Sequence, residues 1–336
     1  MGTLLNKFAA VASTVMVAAI SFAAPNMAQA QDAPKGDGST IRMMASPFGS
    51  QSFIPFTIKK FGLDQKYGFK LEAIPYSDVK AVNAAIQGGA AEIAVFDWNS
   101  VALMRNAGVD VIGVAPFLTY ASSIVAPIDS RIKGITDLKG TKFGTFSRTS
   151  VDWIMMAAAA KRKYNMDLAA SLELQEGAPP LLRGALEQGR LDATLMYSSI
   201  APDMLATGKF KNVFTVRDML GDLGLPLSPY LLIATTETYA KAHPANVKAF
   251  VAAYKEVVDL LKSNDEIWTE QGANMKLSPE ALKFYRDEIR ADIIQSFNEK
   301  TNDTLKETCN ILLETAGPQA LGMSKVPGVL ITTEYQ

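Results

Sequence analysis

The stretch AIQGGAAEIA (residues 85–94) has a counterpart in ALEQGRLDAT (residues 185–194). Each runs from the end of an amphipathic segment through a Gly stop and an acidic residue into an apolar run. Gly ends a helix well because it takes the left-handed conformation without a Cβ penalty. The apolar run behind it reads as a strand. The two stretches therefore mark the same helix–strand joint in two halves of the chain and predict two like α/β lobes.

The flanking sequence repeats the same alternation. Strands are predicted at residues 41–45, 70–74, 92–96 and 109–115, with helices at 53–61 and 79–86 and from Trp98 to Asn106. The pattern restarts with strands at 142–146, 171–175, 192–196 and 212–216 and helices at 151–164 and 180–187. Short connections between strands and helices predict a mostly parallel sheet flanked by helices in each lobe. The last third is helical. Val247, Phe250, Val251, Tyr254, Val257, Val258 and Leu261 share one face of a run at 245–262. Ser278-Pro279 opens a second helix, and residues 301–316 form a third that ends at Gly317-Pro318.

Composition removes several function classes. The chain has 336 residues, Lys+Arg 33 against Asp+Glu 34, one Cys and one His. A net charge of −1 lacks the basic excess of a nucleic-acid binder. Lone Cys309 and lone His243 exclude an internal disulfide, a Cys-based zinc site and a His-pair metal site. Cys309 reads as a packed residue of its helix and His243 as a surface residue. Residues 1–30 read as a secretory signal: Lys7, an apolar run over 8–24, and Ala28-Gln29-Ala30 as the cleavage site. Residues 31–40 are a polar, Gly/Pro-containing lead-in. The mature protein is thus expected free in an exported aqueous compartment. Walker, GxGxxG, HExxH and GxSxG motifs are absent, and no cofactor is expected.

In parallel α/β sheets ligands sit beyond the carboxyl ends of the strands. Three joints there are rich in polar and aromatic groups. The first, SPFGSQSF (residues 46–53), offers Phe48, Ser50 and Gln51, with Ser50 or Ser52 also suited to cap the helix. In the second, after the third strand, Asp97 is placed to accept from a ligand amine, to cap the helix, or both. Trp98 is placed to stack on a ligand. The third carries Ser147, Arg148, Thr149 and Ser150, whose hydroxyls, helix-start amides and guanidinium suit a carboxylate, sulfonate or phosphate. Arg148 as a solvated surface charge is the alternative. Tyr197 stands in the second half where Asp97 stands in the first, and Tyr230 lies near the return between lobes.

Several segments resemble a known family. They are KFGL (60–63), YGFKLE (67–72), IQGGAAEIA (86–94), GITDLKGTKFG (134–144), residues 186–193 and His243-Pro244. The chain resembles periplasmic substrate-binding proteins of ABC transporters, in the nitrate/sulfonate/taurine and thiamine-pyrimidine-precursor group. The resemblance implies a type II periplasmic-binding-protein fold, α/β, with two lobes and two hinge crossings, near residues 119–123 and 226–232. Lobe 1 would comprise 41–120, lobe 2 would comprise 121–228, and 229–336 would hold the return to lobe 1 and the C-terminal helices. The implied partners are a small-molecule ligand and an inner-membrane permease, with a monomeric receptor and no nucleic acid. The third joint departs from the small Gly/Ser loops common in that group by carrying Arg148 and Trp153. The expected ligand is a small acidic or zwitterionic compound, such as a sulfonate, a taurine-like molecule or a carboxylate. An exported enzyme on the same fold and a sensory receptor are the alternatives.

Overall fold

The computed structural model describes residues 33–336 apart from Phe48, Ser77, Asp78 and Pro226. The expected signal segment, residues 1–30, lies outside the described residues. The first part of the chain forms β1 (Thr40–Ala45), a 3-10 turn at Ser50–Ser52, α1 (Phe53–Lys60), α2 (Leu63–Lys66), β2 (Lys70–Pro75), α3 (Val79–Gln87), β3 (Ala94–Asp97), α4 (Trp98–Asn106) and β4 (Val111–Pro116). The chain then crosses and forms β5 (Ser123–Pro127), β6 (Lys142–Thr145), α5 (Val151–Tyr164), α6 (Leu168–Ser171), β7 (Glu173–Glu176), α7 (Pro179–Glu187), β8 (Ala193–Met196), α8 (Ala201–Ala206), β9 (Phe210–Thr215) and α9 (Asp218–Leu223). After a second crossing come β10 (Leu231–Thr236), α10 (Glu237–Ala242), α11 (Pro244–Ser263), α12 (Asp265–Asn274), α13 (Pro279–Asp292), α14 (Glu299–Ala316) and α15 (Pro318–Leu321).

The two repeated joints fold alike. Gly89 and Gly189 both take positive φ, 69° and 67°. The acidic residue that follows clips the joint to the neighbouring parallel strand of its own lobe, β1 or β6. The Glu92 carboxylate accepts from the Arg42 amide at 2.6 Å, and the Asp192 carboxylate accepts from the Lys142 amide at 2.8 Å. Each acidic residue also donates its own amide back to the carbonyl of that same residue, at 2.9 and 2.8 Å. The repeat is thus one hydrogen-bonded unit used twice. In the second copy Gly144 leaves room for the sheet to close: a Cβ there would lie 2.5 Å from Thr194 Oγ1 and 2.8 Å from Leu191 Cδ1.

Both sheets have the same strand order. In lobe 1, β1 pairs in parallel with β2, a parallel bridge at Met43–Ile93 joins β1 to the β3 segment, and β10 lies antiparallel between β3 and β4. In lobe 2 the order is β7-β6-β8-β5-β9, with β5 antiparallel between β8 and β9. Each lobe therefore receives one antiparallel strand directly after a crossing, and these two strands, β5 and β10, are the ones the alternating pattern does not predict. Their apolar composition resembles that of the other strands, and only the direction of the preceding crossing makes them run backwards. The remaining strands and the main helices lie within a few residues of the predicted positions.

Two large apolar clusters hold the lobes, with a smaller third around Leu182, Leu186 and Met196 in lobe 2. One gathers Phe53, Trp268 and Tyr285 with the buried face of α11 beneath the first sheet. The other runs from Trp98 and Tyr120 to Phe143 and Trp153, and includes Leu305, Cys309 and Leu312 of α14. These three residues, at i, i+4 and i+7, place α14 against α5 of lobe 2. Of the C-terminal helices that follow the return to lobe 1, α14 thus packs on lobe 2. Helix α13 in turn braces the first crossing. The Thr119 hydroxyl donates to Asp292 at 2.6 Å, the Ser123 hydroxyl donates to Glu288 at 2.8 Å, and Arg217 of lobe 2 pairs with Asp292.

Candidate functional site

A cavity of about 490 Å³ opens between the lobes. Its wall is drawn from five places. Ser50 and Gln51 come from the first joint, and Phe96 and Asp97 end β3. Thr119, Ala121 and Ser122 belong to the first crossing, and Tyr197, Ser198 and Ser199 follow β8. Tyr230 and Leu231 close the second crossing. These are the carboxyl ends of strands in both lobes, where the topology leaves helix starts and strand ends without neighbours above them.

Asp97 performs the two jobs that its position suggests. As N-cap of α4 it accepts from the Ser100 amide at 2.9 Å and from the Ser100 hydroxyl at 2.7 Å, and it also forms part of the cavity wall. Gln51 is fixed by the Tyr76 hydroxyl, which donates to its side-chain oxygen at 2.9 Å. Tyr197 stacks on Phe146 with ring centroids 3.7 Å apart, and Tyr230 stacks on Tyr120 at 4.9 Å. Burial, with the charges of Asp152 and Asp97 behind it, pushes both cavity phenols up, so they remain neutral donors.

Five of the residues expected at a site, Ser50, Gln51, Asp97, Tyr197 and Tyr230, thus come together on one wall. Phe48 lies outside the described residues. Trp98 does not reach the cavity: it is 0% exposed and its indole N–H donates to the Tyr120 hydroxyl at 2.7 Å. The reason is its helical phase. As first residue of α4 it shares a buried face with Val101 and Ala102, at i+3 and i+4, so its ring turns under the helix.

The third joint also departs from expectation. Ser147, Arg148, Thr149 and Ser150 are absent from the wall, and several of their donors have acceptors within the chain. Glu176, at the end of β7, takes the Arg148 guanidinium at 3.0 Å and the Arg148 amide at 3.0 Å. The Thr149 amide donates to the Ser147 hydroxyl, and the Ser150 hydroxyl donates to the Ser147 carbonyl while capping the Trp153 amide. With its side chain 54% exposed, Arg148 is the solvated surface charge of the two alternatives.

Among the described residues the wall carries no Lys, Arg or His. Behind it stands a second carboxylate. Asp152, in the first turn of α5, is 1% exposed, and its Oδ1 has no hydrogen-bond partner among the described residues. Burial pushes its carboxyl up to about 6, against the Ser122 hydroxyl and its own amide, which favour the ionised form; the Asp97 charge adds to the rise. Sequence reasoning places the first crossing near 119–123 but assigns none of its residues to the site, nor Asp152 or Tyr76. Tyr76 follows β2 and obeys the same strand-end rule as Asp97. Asp152 carried no such sign, because an acidic residue in a first helical turn is an ordinary complement to the helix dipole.

No cluster of three or more His, Cys, Asp or Glu suited to a metal ion occurs among the described residues, and no helix among them is long and apolar enough to cross a membrane. No curated protein sequence matches the chain. Solved structures do. The periplasmic aliphatic sulphonate binding protein SsuA from Escherichia coli aligns with a TM-score of 0.71 at 18% identity, over 89% of this chain and 99% of that one. The alkanesulfonate-binding protein SsuA from Xanthomonas axonopodis pv. citri, bound to MOPS, aligns with a TM-score of 0.63 at 15% identity, over 88% and 97%. DSZB in complex with biphenyl-2-sulfinic acid aligns with a TM-score of 0.62 at 15% identity, over 88% and 97%. At these identities the likeness is one of fold: two α/β lobes of the periplasmic-binding type. The family model described as NMT1/THI5 like matches residues 59–266, from α1 through both lobes and both crossings into α12, and on that match the chain belongs to the NMT1/THI5-like family.

Proposed function

We propose that the protein is the solute-binding component of an ABC importer, exported to the periplasm, which holds a small organic ligand in the inter-lobe cavity and delivers it to a membrane permease. One observation carries this reading: a single cavity takes its wall from the strand ends of both lobes and from both crossings. A ligand that touches both halves binds the closed arrangement better than the open one and shifts the population toward it. That closure is the event a permease can read.

The chemistry at hand favours binding over turnover. The one thiol, Cys309, is buried on α14, and burial pushes it up, away from the nucleophilic thiolate. The one imidazole, that of His243, stands at the start of α11 beside Tyr239 and is not part of the cavity wall. Of the two ligand groups anticipated, an acid on Arg148 and an amine on Asp97, the arrangement of the wall favours the amine.

The reading is tested by small-angle scattering on the purified chain, with and without a compound that raises its melting temperature. A smaller radius of gyration at saturation, with the compound recovered unchanged, is the expected result. An unchanged radius, or conversion of the compound, removes the receptor reading.

A further inference from the structure

The repeated fold sets Asp97 in lobe 1 and Asp152 in lobe 2, each at the start of a helix, with the charge of the first felt by the second. Asp97 is part of the wall. Asp152 lies one side chain behind it, beside Ser122, and its Oδ1 is without a partner. The titratable groups that act on this pair are Tyr120 and Tyr230 from the crossings and Tyr197 from β8, all held neutral by burial. Arg148, on the second lobe's side, is engaged by Glu176. An anion at the start of α5 would meet two carboxylates with no Lys, Arg or His on the cavity wall among the described residues.

We propose that the ligand carries a positive charge, as an ammonium, an amidinium or a protonated ring nitrogen, and that this charge closes the cleft by joining Asp97 and Asp152 across the two lobes. The inference rests on the receptor reading above and deepens it. In the empty protein the two carboxylates repel, and bringing the lobes together raises that cost because the interaction strengthens as water leaves. A cation between them reverses the sign of the interaction. A neutral or anionic ligand of the same shape gains no such term, so the pair selects for charge as well as for closure.

The test uses the full chain, matched probes and two variants. Benzamidine is compared with benzoate, and benzylamine with benzenesulfonate, within a wider panel of small amines, amidines, carboxylates and sulfonates, by thermal shift at pH 7.5. Stabilisation confined to the cations, with a contracted scattering radius, is expected. Asp152→Asn should weaken the best cation at least about tenfold and should contract the ligand-free protein relative to wild type. Asp97→Asn should act likewise, and because Asn caps a helix as well as Asp, the fold tolerates it. A panel in which no cation stabilises the protein overturns the proposal, as does a cation affinity within twofold of wild type in Asp152→Asn. A carboxylate or sulfonate that contracts the protein also overturns it while leaving the receptor reading intact. A cation that binds both variants weakly yet leaves the wild-type radius unchanged removes the receptor reading and, with it, closure by the carboxylate pair.

Discussion

The first crossing is flanked by two pairs of carboxylates with opposite fates. On the α13 side, Glu288 and Asp292 sit one turn apart and engage Ser123 and Thr119, with Arg217 closing the group on Asp292. On the cavity side, Asp97 and Asp152 have hydroxyls and amides but no cation among the described residues. Desolvation raises Glu288 to about 7, raises Asp292, and raises Asp152 to about 6, so burial opposes the ionised form in both places. What differs is the partner. With Arg217 the buried acid ties lobe 2 to α13; without one it waits for a charge from outside.

Substitutions should separate the two. Asp292→Ala strips Arg217 and Thr119 of their acceptor, and urea unfolding should show a loss of about 2–4 kcal/mol. Asp152→Asn should do the reverse. A carboxyl raised from 3.8 to about 6 favours the fold below pH 3.8, and that contribution is lost as pH rises through about 6. Removing the charge should therefore stabilise the empty protein by on the order of 1–3 kcal/mol at pH 8, with no gain at pH 4. A loss at pH 8 would place Asp152 among the structural acids and collapse the contrast.

Glu288→Gln should fall between these. Its contribution is present below pH 4.5 and lost through about 7, so the gain belongs at pH 8 and should vanish by pH 4. Because this side chain is only partly buried and Gln still accepts from Ser123, about 1 kcal/mol is expected from paired melts at the two pH values. Arg148→Ala should be the smallest, within about 0.5 kcal/mol of wild type in stability, as for other exposed ion pairs. Calorimetry with any ligand of the cavity should find its affinity within about twofold of wild type. A larger loss would return the anion to the site.

The sequence made the frame legible because the frame is repeated. Gly89 and Gly189, and the acids after them, stand at matching places, and helix stops and caps are local facts. Ser278 caps α13 and Asp97 caps α4 as the residue types require. The site was half legible for the opposite reason. Arg148, Ser147 and Thr149 were read correctly as donors, yet their acceptors come from Glu176 at the end of another strand and from one another. Donor patterns are written in sequence, while the acceptors that fold back on them are not. Trp98 failed similarly, since one helical phase decides between cleft and core.

The strand order has a consequence for how the chain acquires its structure. Lobe 2 builds its five strands from one continuous segment, Ser123 to Thr215. Lobe 1 cannot complete its sheet until β10 inserts between β3 and β4, and β10 begins only at Leu231, after all of lobe 2. Non-local pairing of that kind is slow because a long loop must close before its contacts form. Refolding should thus begin in the middle of the chain, with lobe 2 protected from amide exchange while the β3 and β4 edges still exchange freely. A chain emerging from its N-terminus would then hold its first lobe open until the last third has arrived.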